Sequence, residues 1–565
     1  MADPFTLNTE QLGALPIINT FIDRLGLDRL LAQFLPHQDA RTKLAAPTAI
    51  GVAVRNLLID RRPIYALGEW AERFDPTLLG LSPDEVGLLN DDRVGRALSR
   101  LFDADRASLL TRVVLDAIEI FDIDTSQLHN DSTTVTFAGT YADADGHARG
   151  DKATVLIALG HNKDHRPDLK QLVFILTVTA DGAVPIAHRV VDGNTTDDVT
   201  HIATWDGLVA MVGRTDFLYV ADAKLATRAN MGHIHARGGR FVSVLPATRK
   251  EDRTFRDWIV GNTPVWTEAL RRPARRGGDP DEVWDTTGAP WPSSEGHRIV
   301  WVRSSSKIVR DADTRHNRIA RGLASLDALN IKLASPRCRT KTAVAARAAA
   351  EAALVKAGAA RWITFEIVTD EVESFRQEKR GRPGDNTRYR KTVKQQFSVR
   401  WTTDEIRIAR DAASDGCFPL IANDQELDDA ALLVAYKYQP NLEKRYAQLK
   451  GTQHIAPVWL RDPARIEALL ACHFLALLIA ALIERALRAA MADAGLAELS
   501  LYPEDRGCAA PTCGRVLEIF AGLARHHLHD VDGVAVQTFH PELNDLQRQI
   551  LTLLDIPTSV YTPAA

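Results

Sequence analysis

Two aspartates occupy positions in the sequence where strands rarely carry them. Asp131 lies inside the β-type run from Leu128 to Phe137, and Asp222 directly follows the apolar segment 217–220. An aspartate inside a strand disfavours β structure and is costly to bury alone, a cost that a bound metal ion would offset. Sites in α/β sheets also lie at the carboxyl ends of central strands. Each acid could equally cap a turn or a helix, so these two positions predict only a candidate metal site.

A third acid has a basic partner at helical spacing. Glu443 precedes Lys450 by seven residues, and we expect a helix to begin at Pro440 because proline suits the first helical turn. Seven residues are two helical turns, or about 10 Å along one face. The pair would suit a phosphate-facing helix, with the carboxylate on a metal and the ammonium on a phosphodiester oxygen. A solvated helix face is the alternative.

Basic side chains are clustered, although the chain as a whole is nearly neutral. There are 69 Lys and Arg against 73 Asp and Glu, a formal net charge of −4, so local clustering must carry any case for nucleic-acid binding. The predicted DNA-backbone contacts in the interior of the chain are Arg315, Arg318, Arg380, Arg382, Arg388 and Arg390. Those near the acids are Lys163, Arg166 and Lys170, for which an ordinary solvated loop is the alternative.

The elements that must position the acids follow from local patterns. Residues 1–125 have the i, i+3, i+4, i+7 spacing of amphipathic helices and form a helical N-terminal domain. Residues 126–247 change to Thr- and Val-rich runs separated by polar turns. These predict the order β-β-β-α-β-α-β, with strands at 128–137, 153–159, 172–178, 217–222 and 240–245.

The rest of the chain divides by composition. Residues 248–410 read as a basic, partly β insertion, residues 411–490 return to helix, and residues 491–565 form a tail of loops and short helices. The apolar stretch 468–483 has 16 residues, fewer than the roughly 20 of a membrane span, so we expect a buried core helix. Five cysteines and a start without an apolar leader favour a reducing cytosol and no signal peptide.

The acids and the strings around them resemble one family, the DDE-type transposases of bacterial insertion sequences. The similar branch has a Tyr-x2-Arg-x3-Glu-x6-Lys motif around its last acid. Here the motif falls on Tyr436, Gln439, Glu443 and Lys450, with glutamine in place of the arginine. Further segments that resemble the family are 129–133 around the first aspartate, 160–171, 193–197 and 219–222.

The resemblance implies an α/β fold (α+β overall). It consists of a ribonuclease-H-like mixed sheet flanked by helices, interrupted by the partly β insertion and preceded by the helical N-terminal domain. Asp131, Asp222 and Glu443 would hold two Mg²⁺ ions, for which Mn²⁺ could substitute. One ion would activate a water or a DNA 3′-hydroxyl, and the other would stabilise the leaving oxygen. Tyr436, Gln439 and Lys450 would contact DNA.

The function implied is a transposase. It would cut double-stranded DNA at the terminal inverted repeats of an element and join the ends to target DNA. It would act as a homo-oligomer, a dimer in the synaptic complex, in the bacterial cytoplasm and associated with the nucleoid. We expect no membrane and no nucleotide cofactor, because attack is by a hydroxyl and no Gly-rich phosphate loop is present.

Two other classes of function remain open. The chain could be a non-enzymatic DNA-binding protein derived from a transposase. Asp131 and Asp222 could instead form the acid/base pair of a hydrolase of a small substrate. The hydrolase would leave the arginine clusters and the Glu443–Lys450 pair unexplained, and its activity should survive EDTA.

Overall fold

The computed structural model describes residues 5–35, 42–274, 276 and 278–562. The chain forms two compact units, residues 1–243 with 435–565 and residues 244–434. The fold is mixed α/β with a mixed sheet.

The helical N-terminal region begins with a strand. In chain order its elements are β1 (Thr6–Gln11), α1 (Leu15–Leu25), α2 (Leu27–Phe34), α3 (Ala46–Ile59), α4 (Leu67–Ala71), α5 (Pro83–Val86), α6 (Asp91–Asp103) and α7 (Arg106–Ile120).

The region with the two aspartates follows. It contains β2 (Gln127–Phe137), β3 (Ala148–Arg149), β4 (Lys152–Ala153), β5 (Lys170–Thr179), β6 (Pro185–Val191), α8 (His201–Val212), β7 (Leu218–Ala221), α9 (Arg228–Ala236) and β8 (Arg240–Val244).

The middle of the chain alternates strands and helices. Its elements are α10 (Lys250–Trp258), β9 (Thr267–Arg272), β10 (Glu282–Gly288), β11 (Arg298–Ser304), α11 (Ser305–Ala334), α12 (Ala343–Ala357), β12 (Ile363–Gln377), β13 (Tyr389–Thr403), α13 (Glu405–Ala412), β14 (Cys417–Ala422) and α14 (Asp429–Tyr436).

The last part of the chain is mostly helical. It contains α15 (Pro440–Ala447), a π-helical turn at Gln448–Thr452, α16 (Pro463–Asp493), α17 (Cys513–Phe520), β15 (Ala524–His529), β16 (Ala535–Phe539) and α18 (Asp545–Leu553).

The first unit is built on a sheet with the strand order β6-β5-β2-β7-β8. β2 pairs antiparallel with β5 and parallel with β7, and β7 pairs parallel with β8. β5 is almost wholly buried along its length, as expected for an apolar run inside a sheet. The parallel pair β2 and β7 therefore lies in the interior of the sheet, where neighbouring strands on both sides fix its backbone.

Helix α16 is the central helix of this unit. Asp462 caps its first turn by accepting hydrogen bonds from the backbone N–H groups of Ala464 and Arg465. α16 is long and apolar enough to cross a membrane by length and composition, and 94% of its most apolar window is buried inside the fold. It packs against α3, α6 and β6, which is the position of a core helix.

One predicted strand is wrong, and another was missed. Residues 154–159 do not form a sheet strand. Only isolated bridges form there, such as that of Ala158 with Gln171, and two N–H groups donate to side chains, Val155 to Glu467 and Leu156 to Asp192. The third strand of the sheet is β6, whose first residue is Pro185. Proline is tolerated at the start of an edge strand, and this edge position explains the weak sequence signal.

The tail was also incompletely predicted. β15 and β16 form a three-stranded sheet with β1, in the order β1-β15-β16. The pairing joins Thr6 to His529 and Gln11 to Ala524, more than 500 residues apart in sequence. Such a distant partner is invisible to local patterns.

The second unit contains four strands of the mixed sheet and a separate β ribbon. These four strands have the order β14-β11-β10-β9, and every pair among them is antiparallel. β12 and β13 pair only with each other among the described residues. The ribbon is rooted in an apolar cluster that includes Leu326, Leu354 and Phe397, through which it packs against α11 and α12.

Candidate functional site

The register of the sheet brings the first two aspartates together. β2 and β7 run parallel, and the last paired residues are Asn130 and Ala221. The next position on each strand is an aspartate, Asp131 on β2 and Asp222 at the end of β7. Neighbouring strands lie about 4.8 Å apart, and residues at matched positions of a parallel pair face the same side. The two carboxylates are therefore neighbours at the point where β7 ends beside the middle of β2.

A half-buried ammonium group neutralises part of this acidic site. Lys163 Nζ lies 3.3 Å from Asp131 Oδ1 and 3.1 Å from Asp197 Oδ2. It also donates to the Ser132 carbonyl oxygen at 2.7 Å and to Ser132 Oγ at 2.8 Å. Ser132 Oγ in turn donates to Asp197 Oδ1 at 2.5 Å. The site is thus a network of alternating charges and not an isolated pair of acids.

The acids of this network respond differently to their surroundings. Burial raises the pKa of Asp131 to about 6 against the opposing charge of Lys163, and the Asp222 carboxylate raises it further. Burial acts in the same direction on Asp197, but the Ser132 hydrogen bond and the Lys163 charge hold its pKa below the ordinary value. Asp131 is therefore the acid whose negative charge is least stabilised by the protein.

Asp197 was not predicted as a site residue. It lies in the segment 193–197, one of the strings that resembles the transposase family, but its place in the network depends on the turn that leads into α8. His201 at the start of α8 bonds Tyr219 Oη through Nδ1 at 3.1 Å. Burial lowers the pKa of His201, although the charges of Asp222 and Asp197 act in the opposite direction. The ring beside the acidic site is therefore neutral.

Helix α15 is fixed to β2 on both sides of Glu443. Gln439, at the N-terminal end, donates from Nε2 to the Asn130 carbonyl oxygen at 3.1 Å. Tyr446 Oη donates to the Asp131 carbonyl oxygen at 2.5 Å and accepts from the Leu176 N–H at 3.1 Å. Residues 439, 443 and 446 are four and three apart and so share one helical face. Glu443 is thereby held on the face of α15 that is turned to the Asp131 end of β2.

The charges of all three acids act on the hydroxyl group of Tyr436. The pKa of the Tyr436 hydroxyl is raised to about 12, first by burial and then by the carboxylates of Asp222, Glu443 and Asp131. All three carboxylates therefore lie within electrostatic reach of the same hydroxyl group. The three acids come from positions 91 and 221 residues apart in sequence, so the convergence is produced by the fold.

A buried ion pair holds α15 in place from its other side. Arg445 Nη1 lies 2.6 Å from Glu484 Oε2 on α16, and the two side chains are 5% and 6% exposed. Arg445 also donates to the carbonyl oxygens of Gly182 and Ala183 at 2.9 Å each. Glu484 accepts from the Cys513 N–H at 2.9 Å. These contacts are all within the first unit and away from the acids, so the role of Arg445 is to position α15.

The site has the donor chemistry that a hard cation prefers. Mg²⁺ binds through one or two carboxylates together with waters and phosphate oxygens, so the pair Asp131 and Asp222 fits it. Lys163 already places a positive charge between Asp131 and Asp197. Within the described ranges, no group of three or more His, Cys, Asp or Glu side chains is close enough to hold a metal ion alone. A cation here would need ligands from outside the chain, and phosphate oxygens would supply them.

Three basic residues that were predicted to contact DNA near the acids form ion pairs or hydrogen bonds with other groups of the protein. Lys450 Nζ lies 2.5 Å from Asp164 Oδ1. Arg166 pairs with the exposed Asp168, and Lys170 donates to the Thr140 carbonyl oxygen at 2.5 Å. The structure places the fourth predicted residue, Lys163, against the acids.

The arginines predicted to bind DNA in the interior of the chain lie in the second unit. Arg315 makes two hydrogen bonds to Asp415, with both side chains 12% exposed. Arg315 is thus engaged by an acid of its own unit, and its DNA contact stays a prediction. Arg318 is exposed on α11. The other four, Arg380, Arg382, Arg388 and Arg390, are exposed at the far end of the β12–β13 ribbon.

The structure also corrects the predicted DNA contact of Gln439. Its side chain is 8% exposed, and its Oε1 accepts from His129 Nδ1 at 2.8 Å while its Nε2 donates to β2. Burial lowers the pKa of His129 to about 4, so the ring is neutral and the glutamine carbonyl matches its N–H. A phosphate cannot reach a side chain in this position, and Gln439 instead positions α15.

Replacing Gln439 by leucine tests this assignment. The change leaves His129 Nδ1 and the Asn130 carbonyl oxygen without partners in a buried place, at a cost of about 1–3 kcal/mol for each group. We expect a lower urea midpoint and unchanged affinity for duplex DNA, measured by fluorescence anisotropy. A variant with native stability and weakened DNA binding would restore the predicted phosphate contact.

Comparisons with known proteins add little to this geometry. A family model described as a domain of unknown function (DUF4277) matches residues 7–115, within the helical N-terminal region. No curated protein matches the chain. A solved structure with some similarity is that of the piggyBac transposase synaptic complex with hairpin DNA, determined by cryo-EM, at 11% sequence identity and a TM-score of 0.25. The alignment covers 51% of this chain and 60% of that chain. At this TM-score the site geometry remains the basis for a function.

Proposed function

We propose that the chain is a DNA transposase that cuts phosphodiester bonds at the terminal inverted repeats of a mobile element. It then joins the ends to target DNA. The observation that carries this proposal is the sheet register that sets Asp131 beside Asp222, together with the helix α15, which carries Glu443 and is fixed to β2 by hydrogen bonds. Neighbouring aspartates on two adjacent strands and a third acid on a fixed helix suit phosphoryl chemistry, in which positioning and charge stabilisation supply most of the catalysis.

The roles of the side chains follow from their positions. Asp131, Asp222 and Glu443 would hold magnesium, with manganese as a substitute. Two such ions would neutralise the phosphate and assist the attacking and leaving oxygens of an in-line displacement. Bound metal would let Asp131 and Asp222 hold the reacting phosphate between β2 and β7, and Glu443 would add a ligand from α15.

Cation side chains would assist the phosphate. The ammonium group of Lys163 can leave the carboxylates of Asp131 and Asp197 and bind a phosphodiester oxygen, because a flexible stem carries its compact charge. Lys450 can do the same from Asp164. The attacking hydroxyl is a water in cleavage and a DNA 3′-hydroxyl in joining. Each step forms one P–O bond and breaks another, so no nucleotide cofactor is needed.

The reaction defines the partners that we propose. They are double-stranded DNA, as the element ends and as the target, and a second copy of this chain in the synaptic complex, since two ends must be brought together. The place of action would be the bacterial cytoplasm, in association with the nucleoid.

The direct test is cleavage of a labelled duplex that carries the inverted repeat flanking the reading frame. We expect nicking at the repeat end in Mg²⁺ or Mn²⁺ and none in EDTA. Tight binding without cleavage in either metal would favour a DNA-binding protein derived from a transposase. Activity on a small glycoside that survives EDTA would favour the paired-carboxylate hydrolase, and either result would overturn the proposal.

The raised pKa of Asp131 predicts how metal binding depends on pH. An acid with a pKa of about 6 loses its charge as the pH falls through that value, and a protonated carboxyl is a poor metal ligand. We therefore expect the stabilisation of the protein by Mn²⁺ against heat to be full at pH 7.5 and largely lost at pH 5. In Asp131→Asn the Mn²⁺ effect should be small at both pH values. A wild-type effect that stays constant between these pH values would contradict the prediction.

A further inference from the structure

The β12–β13 ribbon projects beyond the core of the second unit. Its register is continuous from Ile363 opposite Thr403 to Gln377 opposite Tyr389. The root is buried at Ile363, Phe397 and Val399. From residue 369 to residue 395 the side chains are exposed, except for Gln377 and Thr387, which are partly so. Almost thirty residues thus form an arm whose outer part buries very little of its own surface.

The two faces of the arm differ in charge. Directly opposed residues of an antiparallel pair share a face. From root to tip, one face carries the pairs Asp370 with Gln396, Val372 with Lys394, Ser374 with Thr392, and Arg376 with Arg390, so that three cations face one acid at the root. We call this the basic face, defined by residues 372, 374, 376, 390, 392 and 394.

The opposite face has a mixed character. It carries Glu371, Glu373 and Lys391, together with the exposed rings of Phe375 and Tyr389. Its lysine is already neutralised, because Lys391 forms an ion pair with Glu373 across the two strands. The arm therefore has one cationic face and one face with a net charge of −1, from Glu371, Glu373 and Lys391.

The cations of the basic face have no carboxylate partner among the described residues. Arg376, Arg390 and Lys394 lie within 4.0 Å of no acid there. Other arginines of this unit behave differently, since Arg315 pairs with Asp415 and Arg361 with Asp411. Three unpaired positive charges on one narrow face repel one another, which is a cost that a polyanion would remove.

The turn at the end of the arm continues this charge. Between residues 378 and 388 it carries four cations and two acids. The cations are Lys379, Arg380, Arg382 and Arg388, and all four are exposed. The positive surface therefore extends from the basic face over the tip.

The dimensions of the arm match duplex DNA. Nine residues from 369 to 377 span about 30 Å at the strand rise of roughly 3.3 Å per residue. One turn of B-DNA is about 34 Å long, and its major groove, about 12 Å wide, admits a two-stranded β ribbon. The small side chains Ser374 and Thr392 at the middle of the basic face would let the backbone approach the bases.

We propose that the basic face of the β12–β13 arm lies in the major groove of duplex DNA. Arg376, Arg390 and Lys394 contact phosphates along its edges, and the tip reaches the next phosphates. This inference rests on the proposed function for its partner, but it concerns a surface that is distinct from the three acids. An acidic protein surface, including that of a second copy of this chain, is the competing partner.

The first test compares two triple variants in DNA-binding assays without cleavage, in EDTA. The test variant is Arg376→Gln, Arg390→Gln and Lys394→Gln. The control is Lys332→Gln, Arg337→Gln and Lys356→Gln, which changes the charge equally at other exposed sites of the same unit. Three lost phosphate contacts should reduce the slope of log affinity against log salt by about 2.7 and weaken binding by roughly 100-fold at physiological salt. The control should keep the wild-type slope.

The second test locates the groove by cross-linking. Thr392→Cys places a thiol on the basic face, and Val393→Cys places one on the opposite face. The probes are two duplexes with a disulfide tether, one on a pyrimidine C5 in the major groove and one on a guanine N2 in the minor groove. We expect Thr392→Cys to cross-link to the first duplex above the wild-type background, and Val393→Cys to neither.

The outcomes separate this inference from the proposed function. Equal affinity and salt slope in wild type and the arm variant would overturn the arm proposal, even if the wild type cuts DNA. Loss of self-association without loss of DNA binding in the arm variant would overturn it in favour of a protein partner. Weaker binding by the arm variant, with cross-links in the major groove, would support it even if no cleavage were found.

Discussion

Replacing Asp131 by asparagine is expected to reduce DNA cleavage by about 1,000-fold or more while the protein stays folded. The loss of one ligand to a catalytic metal removes several kcal/mol of charge stabilisation in the transition state, and each 1.4 kcal/mol is tenfold in rate. Asparagine keeps the size of the side chain and its acceptor oxygen for the Ser132 N–H, which lies 2.7 Å from Asp131 Oδ1. DNA binding should be unchanged, because the affected step is chemical.

The stability of this variant can be predicted from the same pKa. Folding raises the pKa of Asp131 from 3.8 to about 6, so the folded state binds more protons between these pH values. The contribution of Asp131 to the free energy of unfolding therefore falls as the pH rises from 4 to 6, and it is unfavourable above pH 6. Asp131→Asn lacks this penalty and should unfold at a temperature no lower than the wild type at pH 7.5 in EDTA.

The matched control is Asp216→Asn. Asp216 lies just before β7, at the strand end opposite Asp222, with its side chain 67% exposed and paired with Arg214. This variant should cleave at the wild-type rate. Equal cleavage by Asp131→Asn and Asp216→Asn would show that Asp131 is not in the active site. If Asp131→Asn is unfolded, Asp222→Asn is tested in its place against the same control.

Replacing Arg445 by methionine is expected to cause the largest loss of stability in the first unit. Removing one member of a buried ion pair leaves the other charged and unsolvated, which costs about 3–5 kcal/mol. Here the remaining group is Glu484, 6% exposed, and the carbonyl oxygens of Gly182 and Ala183 also lose their donor. Arg488, whose Nη2 lies 3.6 Å from Glu484, softens the effect. The expected change is therefore near the lower end, about 3 kcal/mol.

Hydrogen exchange and urea denaturation together measure this change. Peptides from α15 should exchange faster in Arg445→Met, because the ion pair ties this helix to α16, and the first urea transition should move to lower concentration. Arg214→Met, at an exposed pair, should leave both unchanged. The double variant Arg445→Met with Glu484→Leu should recover part of the loss. A native urea midpoint in Arg445→Met would show that the pair does not hold α15.

The sequence predicted the parts of the site that depend on local patterns. Asp131 stands out because its strand is otherwise Thr- and Val-rich, and Asp222 because it ends an apolar run. The order β-β-β-α-β-α-β agrees with the sheet of the first unit, although residues 153–159 were taken for a strand in place of β6. Charge and a leading proline hid β6, since an edge strand does not need the apolar run of a central one.

Other features could not be read from local patterns, because they depend on contacts between distant residues. Asp197 becomes part of the acidic network only through the turn before α8, and Lys163 through the loop that precedes β5. The resemblance implies a DNA contact for Gln439, and local patterns do not show its partner, His129, which lies 310 residues away. The clusters around Arg315 and Arg380 look alike in sequence, yet Arg315 is paired with Asp415 whereas Arg380 lies on the exposed arm.

The measurement that tests the central claim most directly is anomalous scattering from Mn²⁺ in crystals of the protein bound to duplex DNA. We predict a peak of anomalous density at coordination distance from the carboxylates of Asp131 and Asp222, on the side of the sheet that Glu443 faces. The peak should disappear in crystals of Asp131→Asn that still contain DNA. Crystals of wild-type protein and DNA with no Mn²⁺ at these carboxylates, at a concentration that supports cleavage, would contradict the account.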